Sequence, residues 1–93
     1  MIIPVKLPFG SYDITIEKGV LKKAGSLLDL ERKVLVVTDP GVPEEYAKTV
    51  AAQFPKSIIK IIPQGEASKS FDTFKELLNV MCENEFTRSD CVV

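Results

Sequence analysis

Two stretches of this chain carry side chains whose types and spacing could do chemistry. The first is Asp39, which follows the run Val34-Leu35-Val36-Val37-Thr38 and precedes Pro40-Gly41. A carboxylate at the end of a strand can accept hydrogen bonds from ligand hydroxyls, those of a ribose among them. Asp-Pro-Gly is also a turn sequence, and Asp can bond its own backbone two residues on, so taken alone turn chemistry is the plainer account. The second is Gln64-Gly65-Glu66-Ala67-Ser68-Lys69-Ser70. Gly65 permits a tight backbone, Glu66 offers an acceptor, Lys69 offers a donor, and a helix start follows. A polar ligand with hydroxyls and phosphates could use all three. The competing account is an i,i+3 Glu–Lys pair on a solvated first turn, worth about a few tenths of a kcal/mol, and physics alone favours it. Neither GxGxxG nor GxxxxGK[ST], the familiar phosphate fingerprints, is present.

Other chemistries are narrowed by what the chain lacks. It has no histidine, which removes the commonest general base and the commonest metal ligand from this stretch. Carboxylates could still bind a hard cation, but no EF-hand spacing is visible. No catalytic residue and no metal ligand is therefore assigned within residues 1–93. Cys82 and Cys91 lack CxxC spacing and are expected to be reduced and buried. A thiolate role for Cys91 would need an electropositive, exposed setting, which a strand interior is not. The formal net charge of −1 gives no footprint for nucleic acid. No apolar run approaches the roughly 20 residues of a membrane span, and Met1-Ile2-Ile3-Pro4-Val5-Lys6 lacks the pattern of a signal peptide. Neither a nucleic-acid nor a membrane partner is expected.

The elements that must position these residues follow from the hydrophobic pattern. With 93 residues the chain can bury one core but not two. Ile2–Leu7 is apolar and β-branched, Pro8-Phe9-Gly10-Ser11 is a turn cluster, and Tyr12–Ile16 alternates with the period of a half-buried strand. Val20, Leu21, Ala24, Leu27 and Leu28 follow at helical spacing, a single apolar stripe. From Arg32 the pattern switches to alternating strand and helix. Val34–Val37 is a short continuous apolar run, the mark of a strand covered on both faces. A helix follows, with Pro43, Glu44 and Glu45 in its first turn and Tyr46, Ala47, Val50, Ala51 and Phe54 on its buried face. Ser57–Ile62 is the next strand. Ser70 caps a third helix with an apolar face of Phe71, Phe74, Leu77, Leu78 and Met81, and Asn84 ends it. Thr87-Arg88-Ser89-Asp90 leads into Cys91-Val92-Val93.

This order predicts an α/β fold: a Rossmann-like parallel sheet with flanking helices, preceded by a short N-terminal strand pair. The loops leaving the strand carboxyl ends then share one edge of the sheet, which puts Asp39 and Gly65 together where ligands bind in such folds. The final run Cys91-Val92-Val93 reads as the opening of a buried strand, shorter than the about five residues usual for one. The chain is accordingly expected to be the front piece of a longer protein.

Taken together these pieces resemble the N-terminal, NAD-binding portion of the 3-dehydroquinate synthase family. The resemblance runs through Tyr12-Asp13-Ile14-Thr15-Ile16-Glu17-Lys18-Gly19 and Lys33–Asp39, is strongest at Gly65-Glu66-Ala67-Ser68-Lys69-Ser70, and closes on Arg88-Ser89-Asp90 before an apolar strand. It implies a two-domain enzyme, of which residues 1–93 form an incomplete N-terminal domain. That enzyme uses NAD and a divalent metal, zinc or cobalt, and converts 3-deoxy-arabino-heptulosonate 7-phosphate to 3-dehydroquinate with loss of phosphate in the shikimate pathway. By motif match Asp39, Gln64, Gly65, Glu66 and Lys69 fall at the NAD site. The metal ligands belong to the C-terminal domain. The resemblance also implies a homodimer at full length and a chain inactive by itself. Two positions depart from the family pattern: Gln64 stands where an acid is usual, and Gly41 where an asparagine is frequent. Related sugar-phosphate cyclases and glycerol-dehydrogenase-like enzymes share the implied architecture. A non-enzymatic receiver-like module would want an acidic pair, and only Asp39 is found.

Overall fold

The computed structural model describes residues 1–28 and 31–93. Two strands, β1 (Ile2–Leu7) and β2 (Gly10–Thr15), pair antiparallel around Pro8-Phe9. A 3-10 turn (Val20–Lys23) runs directly into the short helix α1 (Ala24–Leu28). Then come β3 (Val34–Thr38), α2 (Glu44–Ala51), β4 (Ser57–Ile61), α3 (Phe71–Glu83) and β5 (Cys91–Val92). The last three strands form one parallel sheet in the order β4-β3-β5, the neighbours that the buried runs predict.

The central strand is the most apolar and the most deeply buried. Val34 and Leu35 are fully covered and Val36 nearly so, because β3 has a strand on each side and a layer on each face. Val34 and Val36 join Ala47, Val50, Ala51 and Phe54 in the core beneath α2. Leu35 points to the other face, since successive side chains alternate. Paired residues of parallel strands share a face, so Lys60, opposite Val37, lies on the Leu35 side. Its Nζ meets Glu76 Oε1 of α3 at 2.6 Å. The two helices therefore cover opposite faces of the sheet. The chain steps outward from β3 to β4, then crosses back past β3 to β5. That reversal in strand order is where doubly wound sheets open a crevice at their carboxyl edge.

Several burial expectations are corrected. The hairpin does not share the sheet: Tyr12, Ile14 and Ile16 are exposed, so the alternation of β2 marks a two-stranded ribbon instead of a half-buried strand. Of the stripe expected at residues 20–28, Leu21, Leu27 and Leu28 are exposed. This segment docks just past the end of α2, through polar contacts to Gln53. Gln53 Nε2 donates to the Leu21 carbonyl at 2.8 Å and Gln53 Oε1 accepts from Gly25 N–H at 2.7 Å. Tyr46 is also exposed, being at the rim of the buried face of α2. On α3, Thr73, Leu77, Val80 and Met81 turn inward while Phe71, Phe74, Leu78 and Cys82 form a second, exposed strip. The apolar arc of α3 is wider than the strip of sheet it covers, and Phe71 is 89% exposed. Both cysteines are free, but Cys82 is exposed and Cys91 half-buried, so neither is the buried thiol expected.

Candidate functional site

Parallel pairing of Thr38 with Ile61 brings the loops after β3 and β4 to one edge, as expected from their strand ends. Each loop is shaped locally by its own residues. After β3, Val42 N–H donates to the Asp39 carbonyl at 3.1 Å, closing a four-residue turn with Pro40 at its second position. Asp39 Oδ1 accepts from Gly41 N–H at 2.7 Å. This is the backbone bond that turn chemistry favours. It also fixes the carboxylate in direction, with only one of its two oxygens so bound. Asp39 is half-buried and borders a concavity of about 300 Å³ with Thr38, Val42, Tyr46 and Val93.

The loop after β4 turns on Gly65, at φ 99° and ψ 177°, a region essentially confined to glycine. A 3-10 turn, Glu66–Ser68, follows, with Ser68 N–H on the Gly65 carbonyl at 3.1 Å and Lys69 N–H on the Glu66 carbonyl at 3.0 Å. Ser68 is buried, and its hydroxyl donates to the Pro63 carbonyl, pinning the loop from inside. Ser70 then caps α3, its Oγ accepting from Thr73 N–H at 3.3 Å. Lys69 Nζ and Glu66 Oε1 pair at 3.1 Å, with side chains 76% and 86% exposed. The pair has the i,i+3 form of the plainer account. It stands in water, where it holds little energy and can be exchanged for a ligand at small cost. Lys69 also borders a groove of about 530 Å³ with Ile62, Phe71, Phe74 and Leu77, beside the positive end of α3.

The five residues singled out from the sequence thus fall on one edge, Gly65 at the turn and the other four in two pairs. Glu66 and Lys69 meet each other. Asp39 and Gln64 meet through Gly41: a Cβ built on Gly41 would lie 2.8 Å from Gln64 Nε2 and 3.0 Å from Asp39 Oδ1. Sequence reading missed that contact, because a glycine after proline already has a sufficient explanation as a turn residue. It missed Ser68 as well, since a buried hydroxyl in a polar loop has no periodic signal. At the opposite, amino edge, Asp90 accepts from Thr87 N–H at 2.8 Å and from Lys33 N–H at 3.1 Å. Its carboxyl is held below the ordinary value, first by the Thr87 N–H, against an opposing effect of desolvation, and then by Lys33. Among the described residues no group of three or more Cys, Asp or Glu gathers as a metal site, and no helix is long and apolar enough to cross a membrane.

The arrangement defines a class: a doubly wound α/β fold with acceptors and a cation at the carboxyl edge of its parallel sheet. Comparison with known proteins narrows it. The chain is related along its whole length to proteins named 3-dehydroquinate synthase, as the resemblance implied. It is 34% identical over 100 residues to the one from Rippkaea orientalis, covering 100% of this chain and 27% of that protein. It is 37% identical over 98 residues to the Brucella anthropi protein, covering 98% and 26%. It is 38% identical over 101 residues to the Enterococcus faecalis OG1RF protein, covering 100% and 28%. The chain thus spans about a quarter of the length of the curated relatives it matches. No family model matches it. Among solved structures, 2-deoxy-scyllo-inosose synthase superposes with a TM-score of 0.82 at 18% identity, over 99% of this chain and 28% of that one. A complex of 2-deoxy-scyllo-inosose synthase with carbaglucose-6-phosphate, NAD+ and Co2+ gives 0.83 at 18% identity, over 99% and 26%. At that identity the likeness shows the shared fold.

Proposed function

We propose that this chain is the NAD-binding front of a 3-dehydroquinate synthase. The observation that carries the proposal is the meeting of the Asp39 turn and the Gly65–Lys69 loop at one edge, where the strand order reverses, in a chain related throughout to proteins of that name. Asp39 and Glu66 supply acceptors for ribose hydroxyls, Lys69 a cation for phosphate, and Gly65 the close backbone. Gln64 completes the edge. The residues fit a dinucleotide: the Glu66–Lys69 pair is solvated, and nothing lies within 4 Å of where a Gly65 Cβ would stand. When bound, NAD supplies a hydride acceptor. This chain's own residues bind and orient it.

The remainder of the enzyme, a metal-binding domain holding zinc or cobalt, is supplied by sequence outside these 93 residues. The whole enzyme is a cytoplasmic homodimer and a phosphorus–oxygen lyase acting on 3-deoxy-arabino-heptulosonate 7-phosphate, in the shikimate route to aromatic amino acids. A second reading, a related sugar-phosphate cyclase, draws support from the fold shared with 2-deoxy-scyllo-inosose synthase. Phosphate release decides between them. The full-length protein with NAD and zinc or cobalt is expected to release phosphate from the heptulosonate phosphate and not from glucose 6-phosphate, whereas residues 1–93 alone release none. The reverse substrate preference favours the second reading, and turnover by residues 1–93 would place catalytic groups in this chain.

A further inference from the structure

Gly10, Gly19 and Gly65 have positive φ, but Gly41 does not. Its φ lies outside the left-handed region that favours glycine, so what glycine contributes there is space. What fills that space is the end of Gln64. A Cβ on Gly41 would stand 2.8 Å from Gln64 Nε2 and 2.9 Å from its Cδ, well inside ordinary van der Waals separation. The third neighbour is Asp39 Oδ1 at 3.0 Å, the oxygen that Gly41 N–H holds at 2.7 Å. One residue without a side chain therefore receives the Gln64 carboxamide on its surface and aims the Asp39 carboxylate with its backbone. Gln64 belongs to the loop after β4, Asp39 and Gly41 to the turn after β3. A neutral amide at this point brings no second negative charge beside Asp39.

We infer that Gln64 is a positioning residue for Asp39. Seated on Gly41, it rests the loop that carries Glu66 and Lys69 against the turn that carries Asp39, and so couples the two groups of ligand contacts. The inference rests on the reading of this edge as a dinucleotide site. It adds that Gln64 acts through Asp39 and not by a contact of its own. Because the obstructing atoms are the far end of a flexible, exposed side chain, Gly41→Ala displaces the carboxamide at little cost to the fold.

The test is calorimetric titration of NAD into the full-length protein and its variants, with melting temperatures recorded alongside. Gln64→Ala and Gly41→Ala should each weaken NAD about three- to tenfold, towards the lower end of contact-mediated coupling, with nearly unchanged melting temperatures. In an Asp39→Ala background, Gln64→Ala should weaken NAD no further. Unchanged affinity in Gln64→Ala overturns the inference, as does full additivity with Asp39→Ala, which would make Gln64 a direct contact. If Gly41→Ala lowers the melting temperature, the Gln64→Ala and Asp39→Ala cycle still decides, since it removes atoms and adds none. Failure of the dinucleotide reading is seen separately: Asp39→Ala and Glu66→Ala would then leave NAD affinity unchanged.

Discussion

Asp90 and Asp39 are both aspartates next to a strand end, yet they do different work because different donors face them. Asp90 is spanned by two backbone N–H groups, Thr87 on its own segment and Lys33 at the start of β3, so it ties the amino ends of β3 and β5 together. Its carboxyl is held low chiefly by the Thr87 N–H. A depressed folded-state pKa contributes stability that is present above the unfolded value, about 3.9 for Asp, and is lost as pH falls through the folded value. Asp90→Asn should therefore lower the melting temperature at neutral pH. Its deficit relative to the parent should shrink as pH falls below the ordinary carboxylate range. Thermal melts across pH check this, and a deficit that stays constant into acid would assign the loss to shape instead of charge. Single-residue roles were legible where local chemistry suffices: Ser70 as a cap, Asn84 as a helix end, Asp39 as a turn residue. Asp90 was legible only as a strand entry. The roles of Ser68 and of Gly41 with Gln64 were not, because each depends on a partner brought close by the fold.

At the scale of elements, the end of α3 combines two devices. Glu85 N–H bonds the Cys82 carbonyl at 3.1 Å and Phe86 N–H the Met81 carbonyl at 2.9 Å, the paired bonds of a Schellman ending. Lys33 Nζ donates to the Asn84 and Glu85 carbonyls at 2.9 and 3.0 Å, placing a cation on the negative end of the helix. The ending requires a left-handed residue, and Glu85 supplies it at φ 58°, where a side chain costs about 1 kcal/mol or more. Glu85→Gly should therefore raise stability by about 0.5–1 kcal/mol, read as a higher denaturant midpoint at unchanged slope. A lower midpoint would mean that the Glu85 side chain contributes more than its backbone costs. Continuous apolar runs foretold β3 correctly because a strand flanked and covered on all sides has no polar face to show. Amphipathic stripes were less reliable. A stripe reports that a face is apolar, not what covers it, and so the outer strip of α3, the β1–β2 ribbon and the segment from Val20 to Leu28 were assigned more burial than they have. The docking of the Val20–Leu28 segment on Gln53, just past α2, was hidden for the opposite reason, being polar.

For the molecule as a whole, strand order matters more than any single contact. Placing β3 between β4 and β5 sets helices on opposite faces and brings the Asp39 turn and the Gly65–Lys69 loop to the carboxyl edge, where sheets of this kind bind ligands. The parallel sheet and the shared edge were legible from the alternation of elements, since crossover connections leave few alternatives. The grouping within the edge was not: Glu66 pairs with Lys69 and Gln64 with the Asp39 turn, and only the packed loops show it. Whether this edge holds NAD is decided by calorimetric titration of NAD into the full-length protein and into Glu66→Ala and Lys69→Ala. A hydrogen bond to a charged group is worth roughly 1.5–3 kcal/mol, so each variant should weaken NAD by about one to two orders of magnitude. Stability should fall by only about a few tenths of a kcal/mol from the lost surface pair. Unchanged NAD affinity in both variants would contradict NAD binding at this edge and leave Glu66 and Lys69 as an ordinary solvated pair on the first turn of a helix.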